Sequence, residues 1–355
     1  MFRKHLVVAF AAVISVTALV ACGGDSGAGG GGGGGEDTTI RFVFSPDPVW
    51  NWLEDQGILA QMEKDSGYTI QRLESEDEFA FFAGGHADIV STGSYETPVL
   101  ESENGVQTVT FGKYNKAKDI VVVKADSGYQ TFADLPKGCK VGVESFSGST
   151  IVWQALAKDL DNRTLAESGD DLQMAVTDFD LSPELVVKGD LCAGVTSIYN
   201  AIPYLMSGQV VGLYDNRSAS QLYADQYVPG HEGMDSNNFV ALKSWYDSHV
   251  PQVAFFLSVW QRGLDEWATH KEEILKAYPD DFGYANDQEL SYLENWYKTQ
   301  FDEFVDSVYL TPDWINGEAQ VTELLRNADL ISADQQQPTH VCIDPDTGKE
   351  TCRIP

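Results

Sequence analysis

The sequence predicts an α/β protein built around two cores, its sheets mostly parallel and flanked by helices. Two observations carry this. From Thr39 onward, short apolar and β-branched runs alternate with amphipathic segments. Such nearly continuous apolar runs suit strands covered on both faces. The chain also has 355 residues, more than one hydrophobic core usually supports.

Ile40-Arg-Phe-Val-Phe44 reads as the first strand, and Ser45-Pro-Asp-Pro-Val-Trp50 turns it into a helix. Residues 68–72 and 87–91 are the next two strands. Asp119-Ile-Val-Val-Val-Lys124 is a continuous β-branched run. Residues 140–143, 174–178, 193–197 and 210–213 continue the series. The C-terminal third changes period. Val253, Phe256, Trp260, Leu264 and Trp267 recur at helical spacing, as do Leu290, Leu293, Tyr297, Phe301, Phe304 and Val308. Both sets predict long helices with an apolar stripe. These helices return to pack on the first sheet, or form a separate all-helical domain.

The N-terminus has Arg3 and Lys4 before an uncharged run, Leu6 to Val20, that ends in Leu19-Val-Ala-Cys22. That is the layout of a secretory signal. The run is short for a membrane span, which needs ~20 apolar residues. Leu-Val-Ala-Cys resembles the bacterial lipobox. The resemblance implies a lipoprotein signal peptide over 1–21, lipid on Cys22, and attachment to the extracytoplasmic face of the cell membrane. The plain alternative is an ordinary signal peptide with a chance cysteine. Residues 22–36 are glycine-rich and read as a flexible tether, with a reach of ~20 Å.

The chain carries 23 Lys+Arg against 54 Asp+Glu, a net charge of −31. Arg3 and Lys4 leave with the signal. No cluster of cations remains to neutralise phosphates, which excludes nucleic acid as a partner. With Cys22 assigned to lipid, Cys139, Cys192, Cys342 and Cys352 form an even set, as expected where disulfides form. Pro-Asp-Thr-Gly lies between Cys342 and Cys352 and is a turn sequence, so these two are expected to close a terminal hairpin. Cys139 and Cys192 each precede a predicted buried strand. Neighbouring parallel strands would bring them to disulfide distance; otherwise they are core thiols. No Cys-x-x-Cys or paired histidines point to a metal, and no cofactor is expected.

Phe79-Ala-Phe-Phe-Ala-Gly-Gly-His-Ala-Asp88-Ile-Val, the Asp134-Leu-Pro-Lys-Gly138 turn before Val141-Gly-Val143, and Lys188-Gly-Asp190-Leu-Cys-Ala-Gly stand in a telling order. Together they resemble type 2 periplasmic binding proteins, closest to the nitrate, sulfonate and taurine binding lipoproteins of ABC importers. The resemblance covers about residues 37–330. The turn is one residue longer than the family's, and Cys139 stands where the family usually has Lys. The fold implied is two α/β lobes around a cleft. Residues 37–112 and 232–355 would form lobe one and 113–231 lobe two, with hinge crossings near 111–115 and 227–231. The function implied is capture of a small anionic or zwitterionic organic solute, sulfonate- or taurine-like. The partners implied are an ABC permease and its ATPase. A pyrimidine or aromatic ligand, or a sensor role without transport, stays open. The protein is expected to be a monomer.

Ligands of open α/β sheets bind beyond the carboxyl ends of the strands. That rule selects Ser45, Asp47 and Trp50 after the first strand, and Thr92, Gly93 and Ser94 after the third. It also selects Glu144, Ser147, Gly148, Ser149 and Thr150 in lobe two, and Tyr199 after a later strand. Hydroxyls and glycine at a helix start suit an anion, or serve as plain helix caps. Asp47 and Glu144 would suit an ammonium, with Trp50, Phe146 and Tyr199 as aromatic walls. Glu74-Ser-Glu-Asp-Glu78 reads as an acidic helix start in preference to a calcium loop. No Gly-x-Ser-x-Gly elbow occurs, so a binder is expected and not an enzyme.

Overall fold

The computed structural model describes residues 38–45, 47–75 and 78–355, and residues 38–355 form one unit. The leader, Cys22, the glycine tether and part of the 74–78 segment lie outside the described residues. The chain begins with β1 (Thr39–Phe44), α1 (Pro48–Asp55), α2 (Ile58–Ser66), β2 (Thr69–Glu74), α3 (Glu78–Ala83), β3 (Ile89–Thr92), α4 (Thr97–Asn104) and β4 (Thr108–Lys116). It crosses at residues 117–119, immediately after β4, so the Phe111–Asn115 segment lies inside that strand. The second lobe holds β5 (Ile120–Lys124), β6 (Cys139–Val143), α5 (Ser149–Asp161), β7 (Leu165–Ala166) and β8 (Leu172–Val176). It continues with α6 (Ser182–Lys188), β9 (Ala193–Thr196), α7 (Ile198–Met206), β10 (Val210–Gly212), the left-handed turn α8 (Leu213–Asn216) and α9 (Ala219–Gln226). The return comprises β11 (Asp235–Leu242), α10 (Lys243–Tyr246), α11 (Val250–Ala277), α12 (Asp287–Thr299), α13 (Pro312–Asn327), β12 (Thr339–Ile343) and β13 (Glu350–Ile354).

The first sheet has the order β13-β12-β4-β11-β3-β1-β2 and the second β10-β5-β9-β6-β8-β7. Both are mixed. Parallel pairing joins β2-β1-β3, β12-β4 and β9-β6-β8-β7. The antiparallel members are β5 and β11, which carry the chain between lobes, together with β10 and the terminal strand β13. β4 and β11 are absent from the sequence-predicted strands. Their polar stretches, Lys113-Tyr-Asn-Lys116 and Asp235-Ser-Asn-Asn238, hide them, because both pass the cleft.

Both disulfides form as expected. Cys139 opens β6 and Cys192 precedes β9. Val141 faces Ala193 across that parallel pair, and the cysteine Cα atoms are 5.9 Å apart. Cys342 and Cys352 are cross-strand partners, with Cα atoms 4.9 Å apart.

α11 presents Val253, Phe256, Trp260, Leu264 and Trp267 to the core, as its period predicts. The second stripe breaks. α12 ends at Thr299, and Phe301, Phe304 and Val308 lie in an extended segment beside β4. Val305 N–H donates to Tyr114 O at 3.1 Å and Lys116 N–H to Glu303 O at 2.7 Å. Backbone pairing with a sheet overrides a side-chain period that happens to fit 3.6. This segment brings Glu303 to the cleft.

The first core is a stack of aromatic rings: Phe42, Phe44, Trp50, Tyr114, Phe239, Phe256 and Trp260. Tyr114 lies 4.3 Å from Trp260 and 5.0 Å from Phe239, ring centre to ring centre. Burying each ring contributes ~1.5–3 kcal/mol. Gly112 admits this packing, since a Cβ there would collide with the Leu257 side chain. α13 packs against α5, and its Val321, Leu324 and Leu325 join the second lobe's core.

Candidate functional site

The carboxyl ends of β1, β3, β6 and β8 converge on a cavity of about 770 Å³, within the size range of small-molecule sites. Each strand hands the chain to a helix there, and the turn residues form the wall. Ser45 and Asp47 follow β1. Asp47 caps α1, its Oδ1 accepting from Val49 N–H at 2.8 Å, and Pro48 fits the first helical position. Tyr95 and Glu96 lie between β3 and α4; Glu144, Ser145, Ser147, Gly148 and Ser149 lie between β6 and α5. Asn115 comes from the end of β4, and Lys118 and Asp119 from the outgoing crossing. Ser236 and Asn237 come from the start of β11.

The charge of this cavity is one-sided. Among the described residues, Asp47, Glu78, Glu96, Asp119, Glu144, Asp281 and Glu303 line it, against one cation, Lys118. Burial pushes Asp47 up to about 7, against the opposing pull of Lys118 and the Val49 N–H. Burial likewise pushes Glu78 to about 7, although the Ser45 hydroxyl and N–H both donate to it, at 2.8 and 3.0 Å. Glu96, Asp119 and Asp281 are also raised by burial. Lys118 Nζ stands 3.5 Å from Glu303 and 4.6 Å from the centre of the Tyr199 ring. Tyr199 and Tyr297 donate to Glu303. The aromatic walls are Tyr95, Tyr114, Phe179 and Tyr199. Asn115 is 5 % exposed, and its Oδ1 has no hydrogen-bond partner among the described residues.

Glu96 is the centre of the arrangement. Its Oε2 accepts from Gly93 N–H at 2.9 Å and from the Thr92 hydroxyl at 3.3 Å. Its Oε1 accepts from Gly148 N–H at 3.0 Å. Gly148 is the N-cap of α5 and has φ +60°, a conformation glycine adopts without strain. One carboxylate thus joins the β3–α4 turn of the first lobe to the β6–α5 turn of the second.

Of the residues selected from sequence, Ser45, Asp47, Glu144, Ser147, Gly148, Ser149 and Tyr199 line the cavity. Trp50 does not. It is fully buried in the first core, its indole N–H donating to Glu54 at 2.9 Å, because the capped first turn of α1 points it inward. Phe146 stands exposed outside the wall. Thr92 and Gly93 sit behind the wall, donating to Glu96. Ser94 faces away, donating to Asp235 O at 3.1 Å. Thr150 is buried and donates to Ser145 O at 2.8 Å, holding the loop. Sequence reasoning missed Glu78, Tyr95, Glu96, Tyr114, Asn115, Lys118, Asp119, Phe179, Ser236, Asn237, Asp281 and Glu303. Asn115, Ser236 and Asn237 carried no usable signal, because the polar stretches that hold them also hid their strands. Glu96 lies two residues beyond the selected loop.

No family model matches the chain, and no curated protein matches it. Solved structures do. The periplasmic aliphatic sulphonate binding protein SsuA from Escherichia coli superposes with a TM-score of 0.64 at 15 % identity, over 84 % of this chain and 90 % of that one. The alkanesulfonate-binding protein SsuA from Xanthomonas axonopodis pv. citri, bound to MOPS, gives 0.61 at 14 % identity, over 84 % and 96 %. A Candida albicans gene product described as having the generic periplasmic binding protein fold gives 0.60 at 14 % identity, over 83 % and 92 %. The architecture around the acidic cavity is therefore the two-lobed type 2 periplasmic binding protein fold.

Proposed function

We propose that this protein is an extracytoplasmic solute-binding lipoprotein. It captures a small organic cation between its lobes and delivers it to an ABC permease and its ATPase. One observation carries the choice of ligand: among the described residues, seven carboxyl-bearing residues line the cavity against a single lysine. This reverses the sign of the solute anticipated from the resemblance. A sulfonate placed here would meet carboxylates at short range in a poorly solvated space, where like charges repel strongly. The two glycine N–H groups that suited an anion already hold Glu96.

A protonated or quaternary amine fits the same walls. Tyr95, Tyr114 and Tyr199 line the cavity, and aromatic rings attract cations, as Lys118 over the Tyr199 ring illustrates. Asn115 Oδ1 adds an acceptor for an N–H donor. Asp47 and Glu78, both near neutrality in their protonation, would ionise as the cation arrives and release protons. Anchoring through Cys22, residence at the extracytoplasmic face and a monomeric state complete the proposal. They rest on the lipobox-like leader and on the type of protein that shares this fold.

Isothermal titration with putrescine, choline, taurine and ethanesulfonate tests the reading. The amines should bind, with affinity rising between pH 6 and pH 8, and ethanesulfonate should not. Tight binding of ethanesulfonate with no binding of either amine would overturn it. Taurine binding alone would point to a zwitterion seated on Lys118.

A further inference from the structure

Two backbone N–H groups from different lobes meet on one side-chain carboxylate. Gly93 follows β3 in the first sheet, and Gly148 caps α5 in the second. They stand 2.9 and 3.0 Å from the two oxygens of Glu96, and the Thr92 hydroxyl adds a third donor. α5 is thirteen residues long, so its first turn presents partial positive charge. Donors converging from two loops, with a helix dipole behind one, form an anion position. In this chain a residue of the chain itself fills it. Glu96 reaches the position from the residue before α4. Its neighbour Tyr95 is anchored in the second lobe's core, which fixes the backbone from which Glu96 extends.

We infer that Glu96 is an internal counter-anion and a specificity-determining residue. It occupies the place from which an anionic solute group would bridge the lobes, ties the lobes together, and turns the cleft against anions. The assignment rests on the solute-binding reading only for the word solute. The anion position itself can be tested without any amine. Cationic solutes then face Glu96 and Glu78 side by side, the two close enough that Glu96 raises the affinity of Glu78 for its proton.

The test removes the carboxylate and supplies it from solution. Glu96→Ala uncovers the Gly93 and Gly148 N–H groups. Acetate should then raise the melting temperature of the variant by a few degrees, saturably. Sodium chloride at equal ionic strength should not, and the wild type should not respond to acetate. Small-angle scattering should show the variant expanded, and compacted again by acetate. A variant that is folded by circular dichroism yet indifferent to acetate and as compact as wild type would overturn the inference. Glu96→Gln is the second variant. It loses the charge and one acceptor, which leaves a glycine N–H unpaired, so it should bind ethanesulfonate at least tenfold more tightly than wild type does; unchanged exclusion of ethanesulfonate would count against Glu96 as the selector. Failure of wild type to bind amines would sink the proposed ligand class and leave the acetate result standing.

Discussion

Replacing Asp47 with Asn should make the protein less sensitive to alkali and weaken its grip on a cation. Asp47 is buried and caps α1 through Oδ1. Asn keeps an acceptor in the same place, so the cap survives. What changes is the charge. Burial moves the Asp47 carboxyl from 3.8 to about 7. A carboxyl whose folded-state pKa is raised holds its proton longer folded than unfolded, so its contribution is fully present below pH ~4 and is lost as pH rises toward 7. Integrating that linkage from pH 5 to pH 8 gives a loss of ~2–3 kcal/mol in wild type. Urea unfolding at the two pH values measures it. The stability difference between Asp47→Asn and wild type should grow in the variant's favour by about that amount from pH 5 to pH 8. Equal pH dependence of the two proteins would refute the argument, because it would mean that Asp47 is already ionised in the folded state at pH 5. The same substitution should reduce amine affinity at pH 8, where the wild-type carboxylate is charged, and have little effect at pH 5, where it is not. Desolvation that costs stability is here the source of attraction for a cation.

Other expectations follow from the same geometry. Breaking Cys342–Cys352, which closes a separation of 10 residues, should cost ~3 kcal/mol, and breaking Cys139–Cys192, separation 53, ~4 kcal/mol on a chain-entropy account; equal midpoints for wild type and serine variants in chemical denaturation would contradict both. Glu318 is 3 % exposed, and burial raises its pKa against the opposing pull of the Ser94 hydroxyl. Glu318→Gln should therefore hold its melting temperature between pH 7 and pH 9 while wild type loses stability. For the anchor, Cys22→Ser should move the full-length chain from the membrane to the soluble fraction of a bacterial host; an unchanged distribution rules out lipid attachment at that cysteine.

Much of the fold was legible because its signals are local. The β-branched run ending at Lys124 and the stripe from Val253 to Trp267 read directly as a strand and a helix. Pro-Asp-Thr-Gly between Cys342 and Cys352 is a turn wherever it occurs, and the hairpin follows. The turn from Ser45 to Trp50 into α1 was likewise visible, since a helix start is set by neighbouring residues. The stripe through Phe301, Phe304 and Val308 misled because a spacing near 3.6 does not reveal that β4 has unpaired backbone groups waiting beside it.

The ligand site lay beyond sequence for a related reason. The loops that meet at the cleft were selected by a rule about strand ends, and the backbone N–H groups of their glycine-containing turns were named as an anion position. What fills that position was not, because Glu96 and Gly148 are 52 residues apart and meet only when the two sheets face each other. Acidic side chains are common in a chain of net charge −31, so composition could not single out the seven that converge. Sequence determined that there would be strands, helices and a disulfide-closed terminal hairpin, since each rests on neighbours along the chain. Tertiary structure alone decided the sign of the cleft, because electrostatic energy depends on distance and burial, which packing sets.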